Sequence, residues 1–257
     1  MTRLLRLLLI LFALNAAYLA ASVATGRKPP VILFPMATFL PFAFSLLHAG
    51  KRLGWRGMGL MLGVSFLVSL IFESVGVATG WIYGPYHYTD LLGPKILGLV
   101  PLFVPLGWFL MSYPAFIMAD WIAPTSWSRW KRLLAVAALA ALAMTAWDLV
   151  MDPARVQTGM WAWEVEGAYF GVPLQNFVGW WATTFIALAL FMRFTRYTPP
   201  LPRSASFDRL AVMSYGLIAL AEVVSALVLG LEGPALAGFF ATLPWFLWGW
   251  AATQAAS

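Results

Sequence analysis

Three acidic residues lie deep inside apolar runs of this chain: Glu73, Asp148 and Glu222. A carboxyl group in lipid is costly, so each is a candidate for function. Asp152 follows Asp148 by four residues, which puts both on one helix face. Pro153 disfavours helix at the residue before it, so Asp152 is expected to mark a helix end. A carboxyl group in apolar surroundings can keep its proton and act as an acid. A second carboxylate can orient water and take a proton from it. The spans holding Glu73, Asp148 and Glu222 contain no Lys or Arg, which weakens a plain ion-pair reading, although a distant helix could supply a partner. Asp152 has a simpler alternative in Arg155 or in backbone amides beyond the helix. Asn176 could position a water or hold a carboxylate; bonding between helices is the plain alternative. Glu164 and Glu166 read as solvated loop charges.

Aromatic residues crowd two loops. One runs Gly80-Trp81-Ile82-Tyr83-Gly84-Pro85-Tyr86-His87-Tyr88-Thr89-Asp90, the other contains Trp161-Ala162-Trp163 and Gly167-Ala168-Tyr169-Phe170-Gly171. Tyr86 and Tyr88 alternate around His87, and Trp161 and Trp163 around Ala162. In extended chain each pair faces one side. Such rings could wall a slot for a flat apolar ligand or cover an electron-poor centre. Trp and Tyr also gather at membrane interfaces, and Trp81, Trp121, Trp127, Trp130 and Trp250 are read as that belt. His87 reads as a loop hydrogen-bonder and His48 as interfacial.

These groups must be positioned by membrane helices. The chain has 257 residues, of which 62% are hydrophobic and 10% charged. Mean hydropathy is +0.82. Ordinary soluble domains carry about 25% charged residues. A soluble globular protein and a disordered chain are both excluded. The chain has no cysteine, which removes disulfide, thiolate and Fe–S chemistry. With two histidines, a multi-histidine metal centre is not expected.

Apolar runs at about 4–25, 30–48, 57–79, 96–120, 133–151, 173–192, 210–230 and 235–252 are long enough to span. The expected fold is all-α: a polytopic integral membrane helical bundle of about eight transmembrane helices, forming one membrane domain over residues 1–257. The first run is too long for a typical signal-peptide core. With the N-terminus in the cytoplasm, twelve of the sixteen basic residues fall in inner segments, among them Arg196 and Arg203. That bias favours N-in and C-in. It places Glu73 and Asp148 toward the outer face, beside the aromatic loops. The basic residues form no groove-like patch, so nucleic acid is not an expected partner. Pro101, Pro105 and Pro114 are expected to bend span four around a cavity. Pro199, Pro200 and Pro202 break the chain before span seven.

Several ordered blocks carry a resemblance. Residues Phe72-Glu73-Ser74-Val75-Gly76-Val77-Ala78-Thr79-Gly80, Tyr83 to Thr89, Pro101-Leu102-Phe103-Val104-Pro105 and Trp108 come first. Trp147 to Pro153, Trp161-Ala162-Trp163, Gly167, Tyr169 to Pro173 and Asn176-Phe177-Val178-Gly179-Trp180 follow. Together they resemble the CruF-type membrane carotenoid-biosynthesis proteins, over about residues 66–182. The resemblance implies a carotenoid 1,2-hydratase. Such an enzyme adds water across the terminal C1=C2 double bond of an acyclic (ψ) end group and leaves a tertiary 1-hydroxy end. It implies an acyclic or monocyclic carotenoid substrate and no redox cofactor or metal. Membrane lipid and other carotenoid enzymes are the expected partners, and the bacterial cytoplasmic (inner) membrane the expected location.

The chemistry fits the residues. Protonating C2 places a cation on tertiary C1, which a carboxylic acid must drive and aromatic faces can stabilise. Asp148 or Glu73 is the expected proton donor; the other, with Asp152 or Asn176, would hold the water. Tyr86, Tyr88, Trp108, Trp163 and Tyr169 are the candidate substrate walls. A long polyene would enter from the bilayer between helices. A transporter, a non-catalytic scaffold and a carotenoid cyclase are the competing readings; the absence of internal repeats stands against the first.

Overall fold

The computed structural model describes residues 1–195 and 204–255. Arg196, Arg203 and the three prolines before span seven lie outside the described residues. Among the described residues, seven helices form a polytopic bundle, and all seven are long and apolar enough to cross a membrane. They are α1 (Thr2–Ala24), α2 (Leu33–Thr79), α3 (Phe103–Ile122), α4 (Arg129–Gln157), α5 (Leu174–Phe194), α6 (Ala205–Val228) and α7 (Glu232–Gln254). Four short strands accompany them: β1 (Tyr86–Tyr88), β2 (Lys95–Ile96), β3 (Val100–Pro101) and β4 (Trp161–Trp163).

The second and third apolar runs share α2, which has 47 residues. Straight, it would be about 70 Å long, over twice the roughly 30 Å of hydrocarbon. It is not straight. Ser45 donates to the Leu110 carbonyl and Glu73 accepts from Trp108, so two residues far apart on α2 reach the same turn of α3. On one rod they would be about 42 Å apart. The chain therefore doubles back at Gly54, whose φ of 74° and ψ of 155° only glycine adopts readily. The two arms, residues 33–53 and 55–79, account for the two runs and give eight helical rods.

The prolines do less to the helices than the sequence implies. Pro101 sits in β3 and Pro105 in the first turn of α3, where its missing N–H has no partner to lose. Pro114 is interior to α3. It cannot donate to the Leu110 carbonyl, and the Ser45 hydroxyl does so instead at 2.8 Å. Pro153 likewise fails to end α4, which continues to Gln157. The carbonyl it deprives is Leu149, and the Tyr169 hydroxyl donates to that oxygen at 2.9 Å. Both helices run on because a side chain from elsewhere replaces the lost backbone donor.

A polar cluster closes the end of the bundle away from the strands. His48, expected at an interface, is buried: Nδ1 lies 2.5 Å from the Tyr113 hydroxyl and Nε2 lies 3.0 Å from the Phe207 carbonyl. Arg52 and Trp121 both donate to Asp208, so Trp121 is a buried tie and not a belt residue. Trp81, Trp127 and Trp130 are exposed, as a belt requires.

Tyr169→Phe keeps the ring against Phe170 and Phe177 but leaves the Leu149 carbonyl without a donor. The expected loss is about 1–3 kcal/mol of stability, read as a lower thermal midpoint in detergent. Ser45→Ala is expected to act alike on α3.

Candidate active site

The aromatic loops form a small antiparallel ribbon. β1 pairs with β4 in the register Tyr86↔Trp163, His87↔Ala162 and Tyr88↔Trp161. Alternation turns Tyr86 and Tyr88 inward, where both are buried, and leaves His87 outside near Glu164. Across the ribbon, Tyr86 meets Trp163 at 5.9 Å and Tyr88 meets Trp161 at 5.8 Å between ring centroids. The four rings share the inner face, as their spacing predicts.

Tyr83 seats this ribbon on the helices. Its ring lies between Gly76 of α2 and Gly179 of α5. A Cβ at either glycine would come within 2.7 Å and 2.6 Å of that ring. The Tyr83 hydroxyl shares a 2.7 Å hydrogen bond with Thr183. The Trp163 indole donates to the Tyr83 carbonyl at 2.9 Å.

Beneath the ribbon, Glu73 projects from the last two turns of α2. Tyr86 and Tyr88 both donate to Oε2, the latter at 2.7 Å, and the Trp108 indole donates to Oε1 at 3.0 Å. Three donors and no acceptor is the complement of a carboxylate. Burial first, and the Glu73 charge next, push both phenols well above their usual range, so they stay protonated donors.

Asp148 and Asp152 share a face of α4, as their spacing implies, and meet on one atom. Asn176 Nδ2, in the first turn of α5, donates to Asp148 Oδ2 at 2.9 Å and also to Asp152 Oδ2. Both carboxyl groups are buried, and Asp148 Oδ1 has no hydrogen-bond partner. Arg155 does not take Asp152. It lies in the last turn of α4 and pairs with Glu222 of α6, which supplies the cross-helix partner that Glu222 lacks in its own span.

A cavity of about 600 Å³ brings most of these groups together. Glu73, Asp152 and Asn176 line it, with Tyr86, Tyr88, Trp108 and Trp163. Asp148 does not line it; it stands behind, joined through Asn176. Tyr169 does not line it either, because its hydroxyl is held by the Leu149 carbonyl and its ring by Phe170 and Phe177. Burial pushes the Tyr169 phenol up to about 12.

The family of carotenoid biosynthesis proteins matches residues 29–244. The chain belongs to that family. Within 137 residues it is 37% identical to the bisanhydrobacterioruberin hydratase of Haloarcula japonica, a match covering 53% of this chain and 45% of that protein. The chain thus aligns with under half the length of the curated relative it matches. No solved structure matches. Carotenoid-family membership extends well beyond the blocks at 66–182 and takes in both arms of α2 and most of α7.

Sequence reasoning left out several cavity residues of this family member. Trp147 and Trp180 line it, and Trp180 stacks on Trp108 at 4.2 Å. Glu222, a candidate from the sequence, lines it in an ion pair with Arg155, and that pairing is what the sequence did not show. Spacing of Ile218, Glu222 and Ser225 along one face of α6 was the available signal, and it carries no partner identity.

Asn176→Leu removes the shared donor from two buried carboxyl groups and is expected to lower the thermal midpoint sharply. Each orphaned acceptor costs about 1–3 kcal/mol. His87→Ala, on the exposed side of β1, is expected to stay within about 0.5 kcal/mol of the wild type in the same melt.

Proposed function

We propose that this protein is a carotenoid 1,2-hydratase of the bacterial inner membrane, N-in and C-in. It adds water to the C1=C2 bond of an acyclic end group and yields a tertiary 1-hydroxy carotenoid. The observation that carries this reading is the cavity itself. Two carboxyl stations, Glu73 and Asp152, face one space lined mostly by Tyr, Trp and aliphatic side chains, with the Arg155–Glu222 pair on its wall. A cavity with that lining suits a hydrocarbon that must be protonated. The hydratase named in the Haloarcula relative points to the same reaction class.

The Asp148–Asp152 pair is the acid in this mechanism. Two carboxyl groups on one amide nitrogen are complementary when one retains a proton, and Asp152 is the member on the cavity side. Its proton passes to C2 of the end group, and the π electrons of the double bond form the new C–H bond. The cation resides on C1, flanked by the faces of Trp108, Trp163 and Tyr86. Water attacks C1, and its surplus proton goes to Glu73, whose three donors hold it as an oriented acceptor. Return of that proton to the aspartate pair through cavity water restores the enzyme. One water is consumed, and no electron leaves the system.

Asp152→Asn and Glu73→Gln, each expressed at normal levels in cells that accumulate an acyclic carotene, are expected to form hydroxylated pigment at least about 100-fold more slowly than the wild type. Growth in heavy-oxygen water should place the label in the product of the wild type. Unlabelled alcohol would make the oxygen donor something other than water. Wild-type rates in both variants would remove the carboxyl groups from the mechanism. A carotene recovered unchanged with the wild type would favour transport or scaffolding.

A further inference from the structure

The cavity does not end at the carboxyl groups. Two helices that the mechanism does not use, α1 and α6, also line it. Ala16, Leu19, Ala20 and Val23 line it from α1, at the spacing of a single helix face. On α6, Ile218, Ala221, Ser225 and Val228 do the same. The two helices therefore line one space with Glu73 and Asp152 by small and aliphatic side chains, interrupted on α6 by Glu222, which pairs with Arg155.

Exposure along that lining locates the mouth. Val23, Phe34 and Leu91 all line the cavity, yet they are 44%, 53% and 72% exposed. They come from the end of α1, the start of α2 and the 3-10 turn at Asp90–Leu92. Val31, Ile32 and Leu97 lie nearby in sequence and are also exposed. Exposed aliphatic and aromatic residues at the rim are the side chains that a bilayer covers. The other half of α1 is fixed elsewhere: Leu5 and Leu9 are buried with Phe44 and Leu210. The cavity-facing part of the same helix joins the main core through Phe12.

We propose that the α1–α6 strip is the corridor that holds the unreacted length of an acyclic polyene, with its portal at Val23, Phe34 and Leu91. The proposal rests on the hydratase reading for the identity of the ligand. Ala20 and Ser225 set its width, because a larger side chain at either would stand where the polyene lies. The corridor selects for length: a long chain must thread it, whereas a short molecule with the same end group fits in the space beside the carboxyl groups.

Binding without turnover tests this. The full chain in lipid nanodiscs carries 14 tryptophans, several on the cavity wall, so a bound carotene quenches their emission. Ala20→Trp and Ser225→Phe are each expected to weaken binding of an acyclic carotene about tenfold or more. Binding of a short acyclic monoterpene with the same dimethyl end, followed by its competition with the carotene, should stay at the wild-type value. Ala21→Trp, on the exposed side of α1, should change neither. Carotene binding at the wild-type level in both corridor variants overturns the proposal. So does an equal loss of both ligands, or a wild type that binds no carotene. If carotene binds in the expected pattern and no alcohol forms, the corridor stands and the hydratase reading falls.

Discussion

A carboxylate enclosed by a helix bundle must take its hydrogen bonds from neighbouring side chains, because lipid supplies none. Glu73 meets that demand with three donors drawn from two places, the β1 strand and α3. Much of the local architecture follows from it. Two phenols can reach one oxygen only if Tyr86 and Tyr88 face the same side, which requires extended chain. Extended chain in turn needs a strand partner, and β4 provides it with two indoles in register. The ribbon then needs a seat on the helices, and Tyr83 finds one only because Gly76 and Gly179 leave room for its ring. A loop whose rings read either as a ligand wall or as an interfacial belt is in this way a structural extension of one buried acid.

The second acidic station obeys the same rule by a different route. Asp148 and Asp152 draw on one amide, Asn176, and no basic residue intervenes. The nearby guanidinium of Arg155 is committed to Glu222 across the α4–α6 gap. The ion pair and the shared amide are thereby kept on separate residues. Glu73 is surrounded by donors, whereas the aspartate pair has a single shared one and an oxygen left open. That asymmetry is what the proposed mechanism uses, with Glu73 as acceptor and the aspartate pair as acid.

Helix continuity is another place where side chains stand in for backbone. Ser45 and Tyr169 donate to carbonyls that Pro114 and Pro153 cannot serve. The consequence at the site is direct. Because α4 runs on past Pro153, Asp152 remains on a helix one turn from Asp148, and Arg155 reaches Glu222 in place of Asp152. Had the helix ended at Asp152, the carboxyl pair would have no fixed geometry.

By itself the sequence determined the membrane bundle, its apolar runs, the two acidic stations, the i, i+4 aspartate pair and the alternation of the four inward rings. These follow from composition and from the helix and strand periods, which are local and legible in one dimension. The blocks around Glu73 and Asp148 also pointed to the carotenoid biosynthesis family. Only the tertiary structure decided which hydroxyl caps which carbonyl, that Glu222 belongs to Arg155, that Asp148 stands behind Asp152, and that Tyr169 serves a helix and lines no cavity. It also decided that α2 folds back at Gly54 and that α1 and α6 residues line the cavity. Each of these is a pairing between residues far apart in the chain. Residue type offers several partners of equal chemistry, and packing alone chooses among them.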